Sequence, residues 1–164
     1  MIVNTGEDAL YFTAPIATGD IESVTLSEEL DSGPIAPVFF SGAFTSICTD
    51  EMCGSQDQLA SFEDVGATLY GISRDTPFAL NEFRSQNDLE FGLVSDLNQE
   101  ILDDHGVSND FTDTEVNGVA KRSVFIVDGD GRITYKWSGD NPGVEPDYDA
   151  AVRAGAAVEN RIVF

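Results

Sequence analysis

The chain has 164 residues, with 30 Asp and Glu against 8 Lys and Arg, one His and two Cys. A net charge of −22 repels phosphate backbones and anionic lipid, which sets aside nucleic-acid and membrane-surface binding, while 41% hydrophobic residues, including many Phe, supply a core and argue against disorder. The length fits one domain over residues 1–164. No apolar run approaches the about 18 residues of a membrane span, and Met1 to Glu7 lack the basic and apolar stretches of a secretory signal, so a cytoplasmic protein is expected.

The acid is spread from Glu7 to Glu159 and forms no tail, and Lys121 and Lys136 are the only lysines. Such self-repulsion destabilises a compact chain at ordinary ionic strength. In molar salt the Debye length falls to roughly 3 Å and screens most of it. The charge therefore predicts a halophilic source with high internal salt, of the archaeal kind.

In chain order, Phe12–Pro15 and Asp20–Leu26 predict an N-terminal β-hairpin broken at Thr18-Gly19-Asp20, and Ser27–Leu30 a single helical turn. Ile35–Phe40 reads as a buried central strand in which Pro37 interrupts the ladder. A helix is expected over Ser46–Phe62, then a strand over Ala67–Ile72. Asp75 or Thr76 caps a helix from Pro77 to about Asn87, with Phe78, Leu80 and Phe83 on its apolar side. Phe91–Val94 is a short strand and Gln99–Asp104 a short helix stopped by Gly106. Ser123–Val127 is the clearest strand; it turns at Asp128-Gly129-Asp130-Gly131 and returns as Arg132–Trp137. A calcium loop at that turn lacks its last ligand, because position twelve is Gly139. Asp147–Glu159 is a last helix with Tyr148, Ala151, Val152, Gly155 and Val158 inward. Strand and helix alternate and end in an antiparallel hairpin: an α/β domain with a mixed sheet flanked by helices.

Chemistry centres on Cys48 and Cys53. With His105 as the sole histidine a Cys/His zinc site has too few ligands, and the spacing of the cysteines is not Cys-x-x-Cys. Buried core thiols and redox-active thiols both remain open from composition alone. Cys48, however, follows an apolar strand and falls in the first turn of the expected helix, where the positive end of the macrodipole lowers a thiol pKa.

The segment Phe39 to Cys53 resembles the active-site stretch of the peroxiredoxins, thiol peroxidases of thioredoxin-like fold. Their pattern is Pro-x-x-x-Thr/Ser-x-x-Cys with Glu or Gln three residues on; Thr45, Cys48 and Glu51 match, while Ser41 stands in place of the proline. The resemblance continues in order through Gly71–Phe78, Gly92–Asp96 and Lys121–Asp128. The pair Cys48 and Cys53 is similar to the bacterioferritin-comigratory, or Q-type, subgroup. Ala43-Phe44-Thr45 and Ser73-Arg74-Asp75 lean towards a related alkyl hydroperoxide reductase-like group.

The resemblance implies a thioredoxin-like fold and a peroxidase for hydrogen peroxide and organic hydroperoxides, with no metal and no organic cofactor. It assigns Cys48 as the attacking thiolate, Arg122 as the cation that lowers its pKa and holds the peroxide, Thr45 as a hydroxyl accepting from the peroxide, and Glu51 as the residue orienting the arginine. Arg74 and Arg84 are weaker rivals for the cation. Cys53 would condense with the Cys48 sulfenic acid to a disulfide, which a thioredoxin-like reductant reopens. Members of the family are monomers, dimers or rings, so a homodimer is among the expected assemblies. A general thiol–disulfide oxidoreductase and a non-enzymatic peroxide sensor are the rival readings.

Five residues along an intact helix rise about 7.5 Å and turn about 140°. A disulfide needs Cα atoms about 4.4–6.8 Å apart with converging side chains. The helix carrying both cysteines must therefore unwind locally before they join, and Gly54 lowers the cost of that by about 1 kcal/mol relative to Ala.

Overall fold

The structure is a computed structural model that describes residues 12–30, 33–44, 46–105, 107–111, 116–120, 122–139 and 147–160. The N-terminal hairpin forms as expected: β1 (Thr13–Ala17) pairs antiparallel with β2 (Ile21–Thr25), and α1 (Leu26–Glu29) follows at once. The central strands are β3 (Ile35–Phe39), β4 (Thr68–Ser73) and β5 (Gly92–Ser95), parallel to one another. The hairpin of β8 (Ser123–Val127) and β9 (Ile133–Ser138) continues the sheet beyond β3. The sheet order is β2-β1-β5-β4-β3-β8-β9, so parallel centre and antiparallel flanks share one mixed sheet.

Pro37 leaves the mark expected of a residue without an N–H. β3 keeps one register against β8, yet the paired positions are Ile35, Val38 and Phe39, with Ala36 and Pro37 skipped. Against β4 the ladder runs through Pro37 without a break.

The period of two along each strand divides the core into two layers. Ala36 and Val38 of β3, with Val124 and Ile126 of β8, face α2 (Ser46–Asp57), α3 (Leu59–Asp64), α4 (Pro77–Gln86) and α6 (Tyr148–Asn160). Ile35, Phe39, Phe125 and Val127 face the other way, against α1 and α5 (Glu100–Asp104). His105 ends α5 in that second layer, its Nδ1 2.9 Å from the Ile101 carbonyl and its ring among Phe12, Phe39 and Phe125. No helix of the described residues is long and apolar enough to cross a membrane.

Three expectations need correction. The helix drawn over Ser46–Phe62 is two helices, since Gln58 steps out and bonds back to Ser55 O at 3.1 Å, and the new axis buries Leu59 and Phe62. Phe78 does not share the apolar face of α4: it is 73% exposed, because Leu80 and Phe83, three residues apart, stack on one side and position 78 lies about 140° round from 83. A two-stranded ladder that the sequence pattern does not predict, β6 (Ser108–Phe111) with β7 (Val116–Ala120), precedes β8. The cap of α4 falls to Thr76, whose Oγ1 accepts from Ala79 N at 3.2 Å. Gly106, the expected stop for α5, and the Val158 side chain lie outside the described residues.

Gly71 decides how closely α2 approaches the sheet. A Cβ there would stand 2.6 Å from Leu93 Cδ2 and 3.2 Å from both Met52 Sδ and Phe40 Cε1. Its missing side chain lets fully buried Met52 rest on β4, which fixes the height of α2 above the strands.

Candidate active site

The site lies where β3 gives way to α2. Phe40 still pairs with the sheet, its N–H donating to Ile72 O at 3.0 Å. The chain then turns through Ser41–Phe44, with Phe44 in the left-handed region at φ 68°. Phe44 is 53% exposed, and its ring meets Phe83 edge-on at 5.3 Å. The anchor of this loop is Asp75. Its Oδ2 accepts from Ala43 N at 2.9 Å and from Ser73 Oγ at 2.6 Å, while its carbonyl accepts from Ser95 Oγ at 2.6 Å. Asp75, a candidate helix cap by sequence, instead clasps a loop 32 residues earlier.

α2 begins at Ser46, which puts Cys48 in its first turn. Thr45 lies outside the described residues, as do the side chains of residues 46–48. One turn on, Glu51 is 4% exposed, and neither carboxyl oxygen has a hydrogen-bond partner among the described residues. Burial pushes its pKa up to about 8, against the pull of the Arg122 guanidinium, which acts in the opposite direction.

Arg122 immediately precedes β8 and is 7% exposed. Its backbone is set by Gly139, whose N–H donates to Arg122 O at 2.9 Å, and its guanidinium lies over the Trp137 ring, 6.0 Å from the centroid. Nη2 has no hydrogen-bond partner among the described residues. The fold thus brings Arg122 and Glu51, 71 positions apart in the numbering, into one buried electrostatic unit. Of the rival cations, Arg84 is engaged elsewhere, donating from Nε to Phe91 O at 3.1 Å.

Cys53 is a half-buried free thiol whose Sγ donates to Asn87 Oδ1 of the residue ending α4, at 3.9 Å. Its pKa is raised, first by burial and then by the charges of Asp57 and Asp50. A thiol kept protonated is a weak attacking group, which separates Cys53 from the role expected of Cys48. The turn after β8 is an Asx turn: Asp128 Oδ1 accepts from Asp130 N at 3.0 Å and Arg132 N at 2.9 Å. No cluster of metal-ligating side chains occurs among the described residues.

A mixed sheet with this strand order, a helix that carries a cysteine in its first turn, and a buried carboxyl–guanidinium unit together define a thiol peroxidase of thioredoxin-like fold. The chain belongs to the AhpC/TSA family, which it matches over residues 5–136. It is 36% identical over 130 residues to a protein of Mycobacterium tuberculosis named as a peroxiredoxin, a match spanning 78% of this chain and 80% of that one. It is 27% identical over 135 residues to peroxiredoxin Bcp of Escherichia coli, covering 81% and 84% of the two chains. The crystal structure of peroxidoxin BcpB from M. tuberculosis superposes with a TM-score of 0.78 at 26% identity, over 99% of both chains.

Proposed function

We propose that Cys48 is the peroxidatic cysteine of this enzyme and Cys53 its resolving partner, within one domain spanning residues 1–164. The Cys48 thiolate attacks one oxygen of the peroxide, the O–O bond breaks, and the departing oxygen takes a proton to leave as water or alcohol. Cys48 is then a sulfenic acid. The Cys53 thiol displaces its hydroxyl as water and forms the disulfide, and a thioredoxin-like dithiol reduces that disulfide by exchange.

The observation that carries this reading is the buried Arg122 with Nη2 unoccupied by any described group. A fixed donor in a water-poor site is suited to charge that develops on a leaving oxygen. Glu51 restrains the guanidinium from the next turn of the helix that bears Cys48, and Thr45 supplies the hydroxyl acceptor. The substrates are hydrogen peroxide and small organic hydroperoxides, the location is cytoplasmic, and a homodimer is the expected assembly. The distributed acid and net charge of −22 fit a halophilic source. Thermal melting checks that point: the midpoint should rise steadily from low to molar KCl.

The deciding experiment follows peroxide consumption in high KCl with thioredoxin and its reductase. Cys48→Ser should abolish turnover, a loss of at least about 10³-fold. Cys53→Ser should oxidise once at the normal rate and then stall. Survival of turnover in Cys53→Ser would make this a one-cysteine enzyme served by an external thiol. One round of oxidation without turnover in the wild type, despite excess reductant, would favour a sensor.

A further inference from the structure

The start of α2 is reached through a short loop, Ser41–Phe44, and a carboxylate from the end of another strand holds that loop. Ala43 N donates to Asp75 Oδ2 at 2.9 Å. The same oxygen accepts from the Ser73 hydroxyl at 2.6 Å, and Ser73 Oγ accepts in turn from Asp75 N at 3.2 Å. Ser95, at the end of β5, donates from its hydroxyl to the Asp75 carbonyl at 2.6 Å. Ser73 and Ser95 are both buried, so water is a poor substitute for their bonds. The ends of β4 and β5 thus fix Asp75, and Asp75 fixes the loop that leaves β3.

Two features of the loop give that bond its weight. Phe44, the residue after Ala43, has φ 68°, a conformation costly for a residue with a side chain and kept where neighbours impose it. The clasp on Ala43 restrains it from one side, and the Phe83 ring meets its own ring edge-on at 5.3 Å. At the other end, Ser41 stands where the matching pattern carries proline. A proline ring restricts the backbone covalently, with φ near about −65°. Phe40, just before, still donates to Ile72 O of β4, in keeping with the extended backbone that a following proline favours. With serine at position 41 the chain lacks that covalent restraint.

We propose that Asp75 is the positioning residue of the loop before Cys48: its clasp on Ala43 sets how Thr45 and Cys48 approach Arg122, and it supplies the restraint that Ser41 does not. The statement rests on the roles given above to Cys48, Thr45 and Arg122. The other supports of the site are separate. Arg122 is held through Gly139 N–H and the Trp137 ring, and the body of α2 is held where Met52 rests on Gly71. Asp75 acts through the loop backbone. When it is lost, every reacting group is still present, but sulfur, peroxide and guanidinium fall out of line.

The test compares wild type, Asp75→Ala, Asp75→Asn and Asp75→Ala combined with Ser41→Pro, all in molar KCl. Two rates are read at Cys48: oxidation by hydrogen peroxide and alkylation by iodoacetamide, which needs the thiolate but not the alignment with Arg122. Asp75→Ala should slow oxidation by about 10–100-fold and leave alkylation within threefold of wild type. Asp75→Asn keeps an oxygen that can accept from Ala43 N, and it should recover most of the loss. Ser41→Pro should recover part of it by restraining the other end of the loop. Oxidation of Asp75→Ala within threefold of wild type overturns the proposal. An equal fall in both rates does so too, because it marks general damage to the site, and so does recovery in neither rescue. Amide exchange is read without peroxide: the Ala43 amide should exchange at least about tenfold faster in Asp75→Ala, while β8 keeps its protection. Unchanged exchange at Ala43 overturns the clasp itself. Peroxide turnover that survives in Cys48→Ser overturns the cysteine assignment instead, and the Ala43 exchange keeps the two failures apart.

Discussion

Asp96 and Glu51 are both carboxylic acids 4% exposed to solvent, and they lie on opposite faces of the sheet in quite different company. Asp96 Oδ2 accepts from Leu102 N at 2.7 Å, a second backbone N–H from Ile101 supports it, and its own N–H donates to Ser73 O at 2.7 Å. Glu51 has no hydrogen-bond partner for either oxygen among the described residues. Burial raises the pKa of both, but backbone donors pull Asp96 back down, whereas among the described residues the pull on Glu51 comes from the charge of Arg122. Equal burial thus serves two ends. Asp96 closes the start of α5 and has its polar capacity filled by the fold. Among the described residues Glu51 and Arg122 retain polar capacity without a partner.

The contrast breaks first at Arg122. Arg122→Ala should lower the rate of Cys48 oxidation by about 10²–10³-fold, measured as the second-order rate with hydrogen peroxide. A change of less than threefold would mean that the unfilled donor has no part in the chemistry and that the two acids differ only in packing.

The contrast sharpens in stability, where the two acids should give opposite signs. The folded pKa of Glu51, about 8, lies above its ordinary value of 4.5. The folded state therefore holds a proton that the unfolded state releases between those values. Its stabilising effect is complete below about pH 4.5 and is lost as pH rises through about 8. Glu51→Gln removes this dependence. It should match wild type near pH 5 and exceed it at pH 9 by a few kcal/mol, on the order of 3–5, in denaturant unfolding at molar KCl. Asp96→Ala should instead cost about 1–3 kcal/mol, because it strands the Leu102 N–H, and should leave the peroxidatic rate unaltered. Destabilisation by Glu51→Gln at pH 9 would show that Glu51 too is a structural acid.

The central strands were legible in the sequence for a plain reason. A strand buried on both faces is a continuous apolar run, and Ser123–Val127 matches β8 residue for residue. The start of α4 was legible because Thr76-Pro77 carries its own cap and first-turn proline. The β6–β7 ladder was not, since its polar first strand and glycine-containing second strand offer no apolar alternation to read. The break at Gln58 was equally hidden: it follows from where Leu59 and Phe62 find room, which is a tertiary demand. At the site, the spacing of Cys48 and Glu51 could be read locally. The meeting of Glu51 with Arg122, the clasp of Asp75 on Ala43 and the reach of Tyr148 to Glu51 join residues 71, 32 and 97 positions apart, and no local pattern encodes them.

Trp137 is the sole tryptophan of the chain, and it lies beneath the Arg122 guanidinium. Indole emission responds to a cation over its face and to the polarity around it, so an event that moves this always-charged guanidinium should change the ultraviolet emission of the protein. Trp137 emission should therefore report movement of the Arg122 side chain, readable by stopped flow with no label attached.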